Sequence, residues 1–331
     1  MITKSINILN LNVPCNNRCR YCLLSYNGKT LGVDYERSIR YAKAFYQWLK
    51  ENHPEIGFTY YFGYSMEHPH LFEVIKFMQE TNSPSGKFLQ FNGMKSRNSR
   101  ELNELLTNLK DLGVELLNFT FYGTEEYHDK FSARRGDYCL MMETLDMALE
   151  KGIGVEIGIP VLKENLNQLE ELVDIFSCKK VDLRLFTPHA GGRGETLSDS
   201  KITVEDYISM SDKVKRYFNR SSNKTQSEWL TAPPKEVVHR TLTLSLLPSN
   251  IEKLEKQTFE ETLLELEKMD EEYFSQIPSF NELLIRYADE NDRRLYSKKD
   301  LYILYRKRFV EENKIEITDI TDERYCSSIR Y

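Results

Sequence analysis

The chain has 331 residues, of which 40% are hydrophobic and 29% are charged, and its formal net charge is −6. This length is enough for one large domain or for two smaller ones. The acidic balance disfavours a large nucleic-acid interface, which normally shows as a basic stripe. No stretch approaches the roughly 20 apolar residues of a membrane span, and the N-terminus carries no secretory signal pattern.

Strand and helix patterns alternate through the first 200 residues. Runs rich in β-forming residues predict six strands, and apolar residues at helical spacing predict the helices between them. The predicted strands cover residues 6–13, 57–64, 88–91, 114–122, 154–160 and 181–186. The predicted helices cover residues 34–50, 70–81, 98–112, 138–151 and 165–176. This alternation is typical of an α/β fold with a parallel sheet and right-handed crossovers.

The remaining residues lack this alternation, and most of their patterns are helical. The predicted helices cover residues 204–218, 251–269, 279–288 and 299–310, with a polar linker or lid at 221–234 and a late strand at 314–320. We therefore predict two regions, an α/β region at 1–198 and a mostly helical extension at 199–331. The extension is expected to serve as a lid or as a substrate-docking region.

Three of the six cysteines lie within eight residues, directly after the first predicted strand. Cys15, Cys19 and Cys22 form the pattern CxxxCxxC, and Tyr21 precedes the last of them. A structural zinc site takes four protein ligands, and an electron-carrying four-iron cluster takes four thiolates. Three clustered cysteines therefore leave one coordination position for another ligand. A zinc-binding interaction protein stays open as an alternative, and the cysteine usage favours a reducing compartment.

This cysteine pattern, on a loop after the first strand of a βα series, resembles the signature of the radical S-adenosylmethionine (SAM) enzymes. The resemblance spans residues 5 to about 194 and implies a partial (β/α)6 TIM-type barrel. It implies a [4Fe–4S] cluster held by Cys15, Cys19 and Cys22, with SAM chelating the fourth iron. An electron from the cluster would cleave SAM to methionine and a 5′-deoxyadenosyl radical, which abstracts a hydrogen atom from the substrate.

The resemblance also implies residues of the SAM pocket. The family commonly carries Gly-Gly-Glu-Pro after the second strand, and residues 63–69 depart from it with Gly-Tyr-Ser-Met-Glu-His-Pro. Glu67 is the best match to the family's glutamate, which helps to hold the SAM amino group. Its alternative role is a carboxylate near a helix N-terminus. The other predicted cofactor contacts are Tyr21, Asn92 (of the Asn92-Gly93 pair, otherwise a plain turn), Thr120 and Ile159.

The sequence does not identify the substrate. We expect a peptide or another natural-product precursor, with a small metabolite or nucleotide as the alternative. A reductase such as flavodoxin or ferredoxin is the expected electron donor, and an oxygen-sensitive cluster indicates the cytoplasm. Arg193, in the glycine-containing segment 187–194, either pairs with a carboxylate or phosphate of a ligand or belongs to a flexible linker that closes the barrel domain.

The other three cysteines are isolated. Cys139 and Cys178 lie on or beside predicted outer helices and are expected to be buried packing residues. Cys326 lies in a polar segment five residues from the C-terminus, where an unprotected thiol would be prone to oxidation. We predict that the tail folds over the barrel mouth and that Cys326 donates a hydrogen atom to a substrate radical, as a lone cysteine does in some radical SAM epimerases. The alternative is a chance surface or packing cysteine.

Overall fold

The computed structural model describes residues 5–10, 14–22, 32–61, 66–81, 86–234 and 241–315. Cys326, most of the strand predicted at 314–320 and residues 63–65 of the segment before Glu67 lie outside this part of the chain.

Six parallel strands follow the predicted order along the chain. They are β1 (Ser5–Leu9), β2 (Gly57–Tyr61), β3 (Phe88–Gln90), β4 (Leu116–Thr120), β5 (Gly154–Pro160) and β6 (Asp182–Phe186). The helices between them are α1 (Tyr35–Asn52), α2 (Leu71–Glu80), α3 (Ser99–Asp111), α4 (Glu125–Ser132), α5 (Asp137–Glu150) and α6 (Leu169–Ser177). Sequence analysis did not predict α4, which begins after Thr124 with two glutamates in its first turn.

Among the described residues, the six strands form two parallel sheets that are not joined into a ring. One sheet has the order β3-β4-β5-β6, and the other places β2 on one side of β1. Within the described residues, no ladder joins β2 to β3. The predicted class, an α/β fold with a partial TIM-type barrel, is confirmed.

The C-terminal region contributes a strand to this fold that sequence analysis did not predict. The strand β8 (Thr241–Ser245) pairs in parallel with β1, in a register that places Ile6 opposite Leu242. Its alternation of threonine and leucine is a strand pattern of only five residues, which is short for recognition from sequence. The sheet around β1 therefore includes a strand from beyond residue 198, and the two-region division stays a prediction.

The rest of the C-terminal region is mostly helical. Its helices are α7 (Val204–Ser209), α8 (Asp212–Lys215), α9 (Gln226–Thr231), α10 (Ile251–Leu254), α11 (Phe259–Gln276), α12 (Phe280–Tyr287) and α13 (Lys298–Asn313). Two short strands, β7 (Asn223–Lys224) and β9 (Tyr296–Ser297), pair in antiparallel fashion. The helix predicted over 204–218 is two short helices, because Met210 has extended backbone with ψ 149°.

Two of the hydrophobic cores among the described residues organise the helices and strands. The larger core lies between the parallel strands and their helices, and Leu242 and Leu244 of β8 belong to it. The second core packs α9, α12 and α13 around Phe280 and Tyr302. Among the helices of the described segments, none combines the length and the apolarity that a membrane crossing requires.

Candidate active site

The cysteine loop, residues 14–22, lies beyond the carboxyl end of β1 and is held by backbone hydrogen bonds from other segments. The Asn16 N–H donates to the carbonyl of Gly93 (2.8 Å), which follows β3. The Arg18 N–H donates to the carbonyl of Ser132 (2.8 Å) at the end of α4. In parallel barrels, sites are built at the carboxyl ends of the strands, and the loop lies there.

Gly93 lies directly against one of the three thiols. A Cβ atom on Gly93 would be 2.3 Å from Cys15 Sγ, and its φ of +73° is one that residues with side chains rarely adopt. The side chain of Asn16 also donates to the Gly93 carbonyl (3.1 Å). Glycine is therefore required here for two reasons, the close approach of Cys15 and the backbone conformation.

The thiols of Cys15, Cys19 and Cys22 are half-buried, and none of them is in a disulfide. Burial raises the pKa of the Cys19 thiol to about 12, although a hydrogen bond from Tyr122 opposes this shift. Burial also raises the pKa of the Cys15 thiol, and the nearby charge of Cys22 adds to the effect. The bare thiols of Cys15 and Cys19 are therefore protonated at neutral pH, and a bound metal would displace their protons.

Tyr122 contacts the cysteine loop through its hydroxyl group. Its Oη donates a hydrogen bond to Cys19 Sγ at 3.2 Å. Its ring stacks on Phe131, with centroids 4.5 Å apart, and meets the edge of Tyr21 at 5.6 Å. Tyr21, one of the predicted cofactor contacts, therefore belongs to an aromatic cluster around Cys19.

A buried polar network supports the other side of the loop. His128 accepts the Tyr122 N–H at Nδ1 (3.2 Å), which leaves its proton on Nε2, 3.1 Å from Asp137 Oδ2. The same Asp137 oxygen accepts the side-chain amide of Asn17 (2.7 Å), and Arg134 lies 3.2 Å from the other oxygen. The network therefore ties the segment after β4, the helices α4 and α5, and the cysteine loop together.

The segment after β6 holds the cysteine loop from a further side. The Nε of Arg193 donates to the Cys19 carbonyl (3.0 Å), and its backbone N–H donates to the Cys22 carbonyl (3.0 Å). Close packing continues at Gly194, where a Cβ would be 2.1 Å from the His189 carbonyl oxygen. Arg193 thus binds main-chain carbonyls of the cysteine loop rather than serving as a free linker residue.

Glu67 forms a buried ion pair that sequence analysis did not predict. Its two carboxylate oxygens accept from Arg97 Nη1 at 2.6 Å and from Nη2 at 3.0 Å, and the Lys95 N–H donates to it at 2.8 Å. The side chains of Glu67 and Arg97 are only 11% and 10% exposed. The pair joins the segments after β2 and β3, where the two sheets are not paired, so it serves as a link between them.

The remaining predicted contacts lie at or near the same end of the sheet. The Asn92 side chain donates to the Thr120 carbonyl (3.1 Å) and accepts the Thr120 N–H (3.0 Å), so it joins the chain after β3 to the end of β4. Ile159 is completely buried in β5. The structure therefore brings Tyr21, Asn92 and Thr120 close to the cysteine loop, connects Glu67 to it only through the segment of Arg97, and places Ile159 in the core.

The donor set suits an iron–sulfur cluster, whose irons take thiolate ligands. In the part of the chain that the structure describes, no three His, Cys, Asp or Glu side chains converge closely enough to hold one ion. Three thiols on one firmly held loop, with Gly93 leaving room for Cys15, fit the cluster.

The family model described as the Radical SAM superfamily matches residues 9–176, just over half of the chain. The chain belongs to the radical SAM superfamily. Membership establishes that it is an enzyme and implies SAM and an iron–sulfur cluster as its cofactors.

Relatives and solved structures share little sequence with this radical SAM chain. The Fe-coproporphyrin III synthase of Methanosarcina barkeri (strain Fusaro / DSM 804) is 24% identical over 105 residues, which are 31% of this chain and 26% of that protein. The chain thus spans about a quarter of the curated relative that it matches. Native anSMEcpe with bound AdoMet and Cp18Cys peptide is 11% identical, with a TM-score of 0.46, over 93% of this chain and 97% of that one. Coproporphyrinogen III oxidase (HemN) from Escherichia coli is 10% identical, with a TM-score of 0.43, over 92% and 91% of the two chains.

The prediction that Cys139 and Cys178 are buried packing residues is wrong, because both are exposed. Cys139 lies on the outer side of α5, whose buried positions include Leu140 and Met141, and its thiol donates to Glu125 at 3.4 Å. Cys178 is the C-cap residue of α6, two residues after the buried Phe176.

Proposed function

We propose that this radical SAM enzyme holds a [4Fe–4S] cluster through Cys15, Cys19 and Cys22, and that SAM binds the fourth iron. When bound and reduced, the cluster supplies the electron for the reductive cleavage of SAM that begins hydrogen abstraction from substrate. The observation that carries the proposal is the fixed cysteine loop, which presents three thiols free of disulfides at the carboxyl ends of the strands.

The contacts around the loop support specific roles for the chain's own residues. Asn92 fixes the position of Gly93 by binding Thr120 on β4, and Gly93 leaves the space that Cys15 occupies. Arg193 holds the main chain at Cys19 and Cys22. These residues orient the thiols before any cluster is bound.

We assign SAM contacts to Glu67, Asn92, Thr120, Ile159 and Tyr21. Glu67 is held in one orientation by Arg97, and a carboxylate can accept further hydrogen bonds beside a bidentate guanidinium. It can therefore accept from the SAM amino group while remaining paired. Tyr21 lies in the aromatic cluster beside Cys19, where its ring offers an apolar surface.

We propose a peptide or another natural-product precursor as substrate, with a small metabolite or nucleotide as the alternative. In support, a surface groove of about 670 Å³ lies on the C-terminal region and carries charges of both signs. It is lined by Arg220, Ser221, Lys224, Ser227, Glu228, Thr231 and Ala232. An open groove of this size has room for a short peptide segment. Incubation with SAM and deuterium-labelled candidates, scored for deuterated 5′-deoxyadenosine, distinguishes the two substrate classes.

We further propose that Cys326 acts as a hydrogen donor, that a flavodoxin or ferredoxin reductase supplies electrons, and that the enzyme works in the cytoplasm. Replacing Cys326 by alanine should leave 5′-deoxyadenosine formation intact while the normal product is lost. A normal product yield from this variant would remove the donor role.

The cluster assignment is tested by alanine substitution followed by anaerobic reconstitution with iron and sulfide. Cys15→Ala, Cys19→Ala and Cys22→Ala should each lose the cluster's broad visible absorbance and most of its iron. Cys178→Ala is the matched control, because Cys178 is exposed and far from the loop in sequence, and it should bind iron as the unmodified protein does. A triple variant that still takes up four irons and still cleaves SAM would contradict the proposal.

A further inference from the structure

The hydroxyl group of Tyr122 is directed at the sulfur of Cys19. The distance from Tyr122 Oη to Cys19 Sγ is 3.2 Å, and Tyr122 is only 4% exposed. Tyrosine hydroxyl groups that are buried usually have a hydrogen-bond partner. Here the partner is one of the three thiols on the cysteine loop.

The tyrosine is held so that its hydroxyl group cannot turn away. Its N–H donates to His128, its carbonyl accepts from Asn165 at 2.8 Å, and its ring stacks on Phe131. The N–H group, the carbonyl group and the ring of Tyr122 are therefore each held by a neighbouring residue. These contacts hold the hydroxyl group at the sulfur of Cys19.

The surroundings of this hydrogen bond are apolar. Tyr122 and Phe131 form a small core with Leu162 and Leu197, and Cys19 packs against it. In such a low-dielectric environment a hydrogen bond to a charged acceptor is stronger than in water.

We propose that Tyr122 raises the reduction potential of the iron–sulfur cluster by donating this hydrogen bond to the Cys19 ligand. The proposal rests on the cluster assignment made above. Uptake of one electron increases the negative charge that the sulfurs share, so a donor at the sulfur stabilises the reduced form more than the oxidised form. Hydrogen bonds to sulfurs are among the features that set the potentials of such clusters.

The test compares two tyrosines of the same aromatic cluster. Tyr122→Phe removes only the hydroxyl group and keeps the ring on Phe131. Tyr127→Phe is the control, because Tyr127 also stacks on Phe131, with centroids 6.0 Å apart, while it is Tyr122 that donates to Cys19. Each protein is reconstituted anaerobically, assayed for iron and titrated with dithionite in the presence of redox mediators. The reduced cluster is followed by electron paramagnetic resonance.

We expect Tyr122→Phe to lower the equilibrium constant for one-electron reduction about tenfold, which is a midpoint about 59 mV more negative. Tyr127→Phe should keep the midpoint of the unmodified protein. Equal midpoints in all three proteins, each with a full cluster, would overturn the inference and leave the proposed function standing. An unmodified protein that takes up no cluster would instead overturn the proposed function, and the inference with it.

A second variant covers the case in which Tyr122→Phe fails to assemble its cluster. Incorporation of 3,5-difluorotyrosine at position 122 keeps the ring and makes the hydroxyl group a stronger donor. The midpoint should then become more positive than that of the unmodified protein. An unchanged midpoint in this variant would also overturn the inference.

Discussion

Asp137 and Asp300 are buried carboxylates in two different regions of the molecule, and their surroundings differ. Asp137, beneath the cysteine loop, is bound by three side chains, namely Asn17, His128 and Arg134. Asp300, at the start of α13, lies 2.5 Å from Lys201 Nζ and accepts the Ala190 N–H at 2.8 Å. Burial raises the pKa of Asp300 despite the attraction of Lys201.

The comparison shows two uses of a buried charge. At Asp137 several neutral and charged donors share the carboxylate, and one of them belongs to the cysteine loop, so the network positions the site. At Asp300 a single buried cation, Lys201, offsets most of the cost of burying the carboxylate charge. This pair joins the segment after β6 to α13. We therefore expect substitutions in the first network to affect cluster binding and substitutions in the second to affect stability.

The largest effect on stability is expected from Asp300→Ala. This change leaves the ammonium group of Lys201, which is 2% exposed, buried without its counter-ion. Removing one partner of a buried pair typically costs about 3–5 kcal/mol. Urea denaturation should show a free energy of unfolding lowered by about that amount.

A double variant distinguishes the stability lost with the ion pair from the stability lost with side-chain packing. Asp300→Ala combined with Lys201→Met removes both charges, so it should be more stable than Asp300→Ala alone. If Asp300→Ala unfolds at the same urea concentration as the unmodified protein, the pair does not have the role assigned to it.

A smaller loss of stability, with a larger effect on the cluster, is expected from Asp137→Asn. The amide keeps one acceptor oxygen, but its NH₂ group faces donors from the surrounding network, and unsatisfied buried groups cost about 1–3 kcal/mol each. Because Asn17 lies in the cysteine loop, the iron content after reconstitution should fall. Asp300→Ala, assayed at a temperature where it is folded, should retain its iron, and the reverse pattern would contradict the comparison.

A further expected effect, on ligand binding rather than on stability, concerns SAM at Glu67. Glu67→Ala should weaken SAM binding to the reconstituted protein by roughly 1–3 kcal/mol, the value of a hydrogen bond to a charged group. Arg97→Met is the matched control, because it breaks the ion pair but keeps the carboxylate. A greater loss in Glu67→Ala than in Arg97→Met would indicate direct contact with SAM, and unchanged affinity in Glu67→Ala would place the amine contact elsewhere.

Much of the barrel region is predictable because its signals are local. Each of the six strands and five of the helices between them shows its own periodicity over a short window. The helix α4 was missed because it has only eight residues, and β8 was missed because its alternating pattern covers only five. The error at Cys139 and Cys178 has a different cause, since the outer side of a helix depends on how that helix packs.

The cysteine spacing by itself determined the most informative feature of this protein, a loop of three thiols after the first strand, because all three residues lie within eight positions of one another. Only the tertiary structure decided what surrounds that loop. Tyr122 is separated from Cys19 by 103 residues, and Arg97 from Glu67 by 30. Contacts over such separations leave no periodic trace in the sequence, because they depend on how the strands are ordered and on where the segments after them turn.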